Sequence, residues 1–133
     1  AHCQLVRMPM RLLSRLAAVV PLLGSASALS AQTAPQPQRP AVFAQCAACH
    51  SVQPGKHLFG PSLAGVAGRR AGSLPGYAYS PALKTAGLTW NAATLDRWLP
   101  APRKVVPGTA MPFAGIAGRA PRKAVVDYLL TLK

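Results

Sequence analysis

The chain has 133 residues, 50% of them hydrophobic, with 14 Pro and 11 Gly, and 15 Lys+Arg against 2 Asp+Glu give it a formal charge of +13. That length sets one domain at most. Two acids, Asp96 and Asp127, exclude paired-carboxylate hydrolysis and multi-carboxylate metal sites, while the excess charge predicts an acidic counterpart: nucleic acid, an anionic membrane or an acidic protein face.

In chain order, Arg7, Arg11 and Arg15 precede an apolar run over 16–23, and small residues fill 24–31. A basic start, a short apolar stretch and small residues make a secretory leader. Residues 1–31 are expected to leave, cut after Ala28 or Ala31, with translation beginning at Met8 or Met10. The apolar run falls short of the roughly 20 residues of a membrane span, and Pro21 interrupts it. An uncleaved leader would instead make a membrane-anchored protein. Removing 1–31 takes away three Arg and no acid, so 32–133 keep 12 basic and 2 acidic residues, a net +10. Cys46 and Cys49 are the cysteines that remain. Export permits a disulfide, although their spacing suggests other chemistry. Export also argues against a nucleic-acid partner.

Residues 32–40 are polar and rich in Pro and Gln, which predicts a flexible arm. The domain proper is expected over 41–133. It opens with a helix from about Ala41 to His50. Gly, Pro and Ser dominate 51–79, which reads as loop. Ser80-Pro81 predicts the start of a small helix, because Pro suits a first turn, and Gly87 ends it. Thr89 or Asn91 can cap the next helix, which carries Leu95, Trp98 and Leu99 on one face. Pro100 and Pro102 are expected to stop it and to open a second loop over 100–119. The last helix is expected from Pro121 to about Leu132, with Val125, Tyr128, Leu129 and Leu132 as its apolar stripe. No strand pattern of useful length and no internal repeat is visible. The expected fold is a small all-α domain of three to five short helices, with too much loop for its own core. Something else must fill the interior.

Cys46-Ala-Ala-Cys49-His50 suggests what that is. On a helix the two thiols lie three residues apart, on one face, with His50 beside them. Two such thiols can each form a thioether to the two vinyl groups on one edge of a haem, and His50 then directs a ring nitrogen at the iron. C-x-x-C-H is the attachment pattern of c-type haem. Two other chemistries compete. A redox dithiol would need strands around it. A four-ligand zinc site would need a second Cys/His pair, where only His57 remains. For a haem electron carrier a second axial ligand is needed, and Met111 is the one methionine of 32–133. It sits in a proline-stiffened loop, Pro107-Gly-Thr-Ala-Met-Pro-Phe113. A neutral, soft thioether favours ferrous iron and raises the potential. The competing role for Met111 is core filler. His57 is a rival ligand, but it lies seven residues after His50, and a structural hydrogen-bonding role suits it better.

These stretches, in this order, resemble the class I cytochromes c, in the subgroup of the mitochondrial carrier and its bacterial periplasmic counterparts. The likeness runs over roughly 41–132. It includes Phe59-Gly60-Pro61-Ser-Leu63, Gly68-Arg69-Arg70-Ala-Gly72, Pro75-Gly76-Tyr77-Ala-Tyr79-Ser80, Leu88-Thr89-Trp90, Leu95-Asp-Arg-Trp98-Leu99 and Phe113-Ala-Gly-Ile116. The resemblance implies a class I cytochrome c fold around one covalently bound haem c, with Cys46 and Cys49 as attachment points and His50 and Met111 as iron ligands. It implies that the Pro61 carbonyl accepts from the His50 ring, which fixes the imidazole and raises its basicity. It gives Arg69, Tyr79 and Trp90 to a buried haem propionate, one cation and two neutral donors for a carboxylate removed from water. Trp98 stands where the family has an aromatic, often Tyr, near the methionine sulfur. Leu63, Leu99, Phe113 and Leu129 would line the haem, whose exposed edge lies near Cys46, Cys49 and Phe113.

Two departures carry weight. The family has a Gly near position 39, where its first and last helices cross, and here Arg39-Pro40 stand instead. Its final helix opens with acids, and here Arg122 and Lys123 oppose the helix dipole. The implied protein is a periplasmic, monomeric electron carrier and not an enzyme. It would meet the membrane only peripherally and dock through its positive charge on acidic faces of a cytochrome bc complex, a terminal oxidase, a reaction centre or a dehydrogenase. A haem-based ligand sensor is the alternative. Lys84, Arg97, Arg103, Lys104, Arg119, Arg122 and Lys123 are the candidate docking charges.

Overall fold

The structure, a computed structural model, describes residues 38–133. The expected leader, and the arm as far as residue 37, lie outside the described residues. Within them, a 3-10 turn at Ala41–Phe43 runs straight into α1, Ala44–Ala47. The single helix expected to reach His50 is therefore two shorter pieces. The backbone does complete one more turn, with the Cys49 and His50 N–H groups donating to the Cys46 carbonyl at 3.1 and 2.9 Å. Short 3-10 segments are common at helix starts, and this one follows Pro40, whose extended backbone serves as its N-cap.

After a long loop comes α2, Pro81–Thr85, capped by the Ser80 side chain, which accepts from the Leu83 N–H. Gly87 follows at φ +66°, a conformation that favours glycine. Helix α3, Ala92–Trp98, opens with a full capping box between Asn91 and Thr94, which satisfies two otherwise orphaned donors. Asn91 is thus the cap, not Thr89. Leu95, Trp98 and Leu99 are buried as expected.

The proposed loop over 100–119 is corrected in part. Pro102 begins a helix, α4, Pro102–Val105. A proline that stops one helix can occupy the first turn of the next, where its missing N–H has no helical partner anyway. The same principle moves the start of α5, which spans Arg119–Leu129. Pro121 sits in its first turn rather than at its first position. The far end falls short of Leu132: the last turn tightens, with the Thr131 and Leu132 N–H groups donating to carbonyls three residues back, Tyr128 at 3.0 Å and Leu129 at 3.3 Å.

The core gathers around Phe43, Leu95, Trp98, Leu99, Val125, Val126 and Leu129. Phe43 meets Tyr128 edge-on, with ring centroids 4.8 Å apart, so the N-terminal turn packs on α5 through aromatics. The Arg39 guanidinium covers Phe43 from 5.1 Å, a favourable cation–π contact. The position where the family has glycine is thus used here as a cap over the crossing. Among the described residues the β structure amounts to one bridge, Arg70 with Thr89. Its flanking bonds, Gly68 N–H to Trp90 O at 2.7 Å and Trp90 N–H to Arg69 O at 2.9 Å, hold Arg69 and Trp90 together. No helix among the described residues is long and apolar enough to cross a membrane.

Candidate functional site

One deep cleft of about 470 Å³ opens into this core, a volume within the usual range of cofactor sites, about 300–1,000 Å³. Cys46, Cys49, His50, Pro61, Arg69, Tyr79, Trp90, Trp98, Met111 and Phe113 all line it. Leu63, Leu99 and Leu129 complete an apolar wall. Residues far apart in sequence thus meet at one place. Cys46 and Cys49 are not joined as a disulfide. Burial pushes the Cys46 thiol up from its ordinary pKa, partly offset by Arg39. Among the described residues no group of three or more His, Cys, Asp or Glu comes together, so the zinc alternative finds no site.

His50 is held by one bond. Its Nδ1–H donates to the Pro61 carbonyl at 2.7 Å. Nδ1 therefore carries the proton and Nε2 keeps its lone pair free for a metal. Burial holds the ring pKa below its ordinary value, against the pull of that carbonyl. The ring sits against Gly60, and the fit leaves no room. A Cβ built there would lie 2.6 Å from Nδ1 and 2.9 Å from Nε2. Gly60→Ala is therefore expected to push the imidazole off its line and cost about 1–3 kcal/mol, the usual price of overpacking. Denaturant unfolding followed by haem absorbance would measure it, and a midpoint equal to wild type would show that the ring has slack.

At Arg69 the guanidinium gives Nη1 to the Ala64 carbonyl at 2.7 Å and Nη2 to the Ser62 carbonyl at 2.9 Å. It retains N–H donors beyond those two. Its charge has no acid beside it, because Asp96 pairs with Arg122 and Asp127 with Lys123. Burial lowers the Arg69 pKa, with neighbouring Tyr79 opposing, and burial raises that of Tyr79, with Arg69 opposing. A partly desolvated cation without a counter-charge calls for an anion. Trp90 and Trp98 pack edge to face, centroids 5.2 Å apart. Among the described residues no buried side-chain nitrogen or oxygen lacks a partner. Both indole rings line the cleft. An apolar cleft with thiols and an oriented imidazole, and with an uncompensated guanidinium, fits a haem with its propionates. Met111 could supply the second axial ligand.

Sequence reasoning missed several supports. Thr109 is buried, lines the cleft beside Met111 and accepts from the Met111 N–H at 3.4 Å. Tyr77 donates to the Phe59 carbonyl at 2.6 Å and also lines the cleft. Ser62 is 1% exposed and ties its hydroxyl to the Gln53 carbonyl at 2.6 Å. All three lie in stretches that the sequence analysis singled out, but nothing in those stretches reveals these bonds. His57 does not line the cleft. Its Nδ1 accepts from the Ser62 N–H at 3.1 Å and its Nε2–H donates to the Pro75 carbonyl at 3.2 Å, so it pins two loops together.

Comparison with known proteins agrees with this geometry. The family model described as cytochrome c matches residues 40–133. Cytochrome c2 iso-2 of Magnetospirillum molischianum is 50% identical over 94 residues, 71% of this chain and 97% of that protein. Cytochrome c2 of Rhodoblastus acidophilus is 50% identical over 93 residues, 69% of this chain and 87% of that protein. Among solved structures, cytochrome cH from Methylobacterium extorquens aligns with a TM-score of 0.62 at 48% identity, covering 65% of this chain and 88% of that one. With its helical fold and its C-x-x-C-H turn lining the cleft, this chain belongs to the cytochrome c family, as a class I electron-transfer protein with haem c attached through Cys46 and Cys49.

Proposed function

We propose that this chain is a soluble periplasmic electron carrier, monomeric and not an enzyme, exported by residues 1–31. The observation that carries this reading is the cleft, which places His50, Met111 and the uncompensated Arg69 around one apolar space lined by no carboxylate. The bound haem supplies a one-electron ferric/ferrous couple. The chain supplies the rest. His50, oriented by the Pro61 carbonyl, and Met111 would hold the iron. Arg69, Tyr79 and Trp90 would hold a propionate. Leu63, Leu99, Trp98 and Phe113 line the cleft and would exclude water. An iron held by two side chains of the chain itself would rearrange little on transfer. Addition of CO to the reduced protein is expected to leave its visible spectrum unchanged, and prompt CO binding would favour a ligand sensor instead.

Partners are expected to present an acidic face, as on a cytochrome bc complex, a terminal oxidase, a reaction centre or a dehydrogenase. Of the candidate docking charges, Arg122 is largely buried in an ion pair with Asp96 at 2.7 Å, whereas Lys123, paired with Asp127 at 2.6 Å, stays exposed. Lys84, Arg97, Arg103, Lys104 and Arg119 remain exposed. Arg103 and Lys104 border a shallow groove with Pro112 and Phe113, and those two residues also line the main cleft. Positive charge at the mouth of the cleft raises the association rate without a large buried interface. Electron transfer to a purified partner is expected to slow steeply with salt, because the Debye length shrinks to about 8 Å at physiological ionic strength. Reversing Arg103 and Lys104 to Glu should flatten that slope in stopped-flow measurements, and reversing Lys133 should not. A rate indifferent to salt would assign the charge another use.

A further inference from the structure

The loop that carries Met111 is fastened at its far end by one side chain from α5. Arg122 Nε donates to Asp96 Oδ1 on α3 at 2.7 Å, while Nη1 donates to the Ala117 carbonyl at 2.9 Å and to the Ile116 carbonyl at 3.4 Å. The Arg122 side chain is only 14% exposed, against 56% for Asp96. One planar guanidinium thus joins two helices and the end of the loop, a task that its fixed fork of donors suits better than an ammonium would.

The adjoining backbone is built for the same closure. Ile116 is buried, and its N–H donates to the Leu99 carbonyl at 2.8 Å. Gly115, at φ +111°, lets the chain lie on the Pro100 carbonyl, where any Cβ would overlap it. Beyond these contacts the loop back to Met111 is held lightly. Phe113 is half-buried, Pro112 and Ala114 are exposed, and the backbone bond from Phe113 N–H reaches only to Met111 itself. The fastening therefore lies at Ile116 and Ala117, and Arg122 is its side-chain part.

We propose that Arg122 is a positioning residue for the axial thioether: through the Ile116 and Ala117 carbonyls it holds the Met111 loop closed, and Asp96 holds Arg122 in place. This rests on the reading of Met111 as an iron ligand. Loosening the clasp enlarges the fraction of molecules whose loop is open. An outside ligand that must displace Met111 gains affinity in proportion to that fraction.

The test uses the ferric holoprotein with imidazole as the probe. Arg122→Gln removes charge-assisted bonds to three acceptors and is expected to tighten imidazole binding about tenfold. Asp96→Asn leaves the carbonyl bonds in place and should produce a smaller shift in the same direction. Lys123→Gln removes a neighbouring charge whose partner is Asp127 at 2.6 Å, and it should change nothing. Amide hydrogen exchange supplies the local readout. In Arg122→Gln the Ile116 amide should exchange about tenfold faster, while the Leu99 amide, bonded to Leu95 O at 2.9 Å, keeps its protection. Loss of protection at both amides together would reduce Arg122 to a general stabiliser and overturn the proposal, as would unchanged imidazole affinity. Should Arg122→Gln fail to fold, Asp96→Asn decides, and no shift in either readout overturns the proposal. Met111→Ala separates the two ideas. If it leaves imidazole binding as in wild type, Met111 is no ligand. If it tightens binding while the clasp variants do not, the clasp alone is wrong.

Discussion

Replacing both Cys46 and Cys49 with Ser is expected to leave a polypeptide that loses all colour to acidified organic solvent and has little helix. Wild type should keep its colour, and either single variant should retain one thioether. The attachment turn is already formed by the backbone, with Cys49 and His50 N–H groups both on the Cys46 carbonyl. Both thiols therefore reach the cleft from one short segment. The loss of helix follows from volume. A void of about 470 Å³, at roughly 24 cal/mol per Å³, would cost up to about 11 kcal/mol. That rivals the whole stability of a domain, about 5–15 kcal/mol. The cleft is open, so water relieves part of the cost, but water against this apolar wall is itself unfavourable. Solvent extraction and far-UV circular dichroism together check the prediction. A double variant that kept its colour after extraction, or kept native helix without haem, would contradict it.

The parts of this protein legible in its sequence are those where chemistry acts within a few residues. The pentapeptide from Cys46 to His50 has a spacing that a helical turn converts directly into geometry. Ser80-Pro81 and Asn91 announce helices because capping involves residues no more than three apart. Proline misled at both of its other helical positions. Pro102 and Pro121 read as a stop and a start, yet each lies within a first turn, since a residue lacking an N–H costs nothing anywhere in that turn. The end of α5 is a tightened turn, in which the Thr131 and Leu132 N–H groups donate to carbonyls three residues back, and helical periodicity does not register it. Charge was the least legible property. Arg122 and Asp96 stand 26 residues apart, so counting cations assigned Arg122 to the docking surface when the fold had committed it to an ion pair. His57 shows the same limit, because its partners Ser62 and Pro75 become neighbours only once two loops are laid against each other.

Met111→Ala is expected to convert a closed carrier into a ligand-binding haem protein. The thioether is neutral and soft and stabilises ferrous iron, so its loss should lower the potential. The fall should be on the order of a quarter of the roughly 0.8 V range that axial ligands span. The weak long-wavelength band of ferric Met–haem coordination should disappear, and CO or cyanide should bind quickly to the reduced or oxidised protein. Alanine leaves nothing nearby to take the position. Thr109 offers a hydroxyl that already accepts from the backbone N–H of residue 111, and His57 is tied at both ring nitrogens outside the cleft. No lysine lines the cleft, and Arg69, which does, is held by the Ala64 and Ser62 carbonyls and stays protonated in any case. The fold should survive, because Met111 is only half-buried and the loop remains fastened through Ile116 and Arg122. Potentiometric titration, the ferric spectrum and CO binding kinetics on one preparation provide the check. A variant with wild-type potential and the same slow response to CO would remove Met111 from the iron and leave the second axial position to a residue not yet identified.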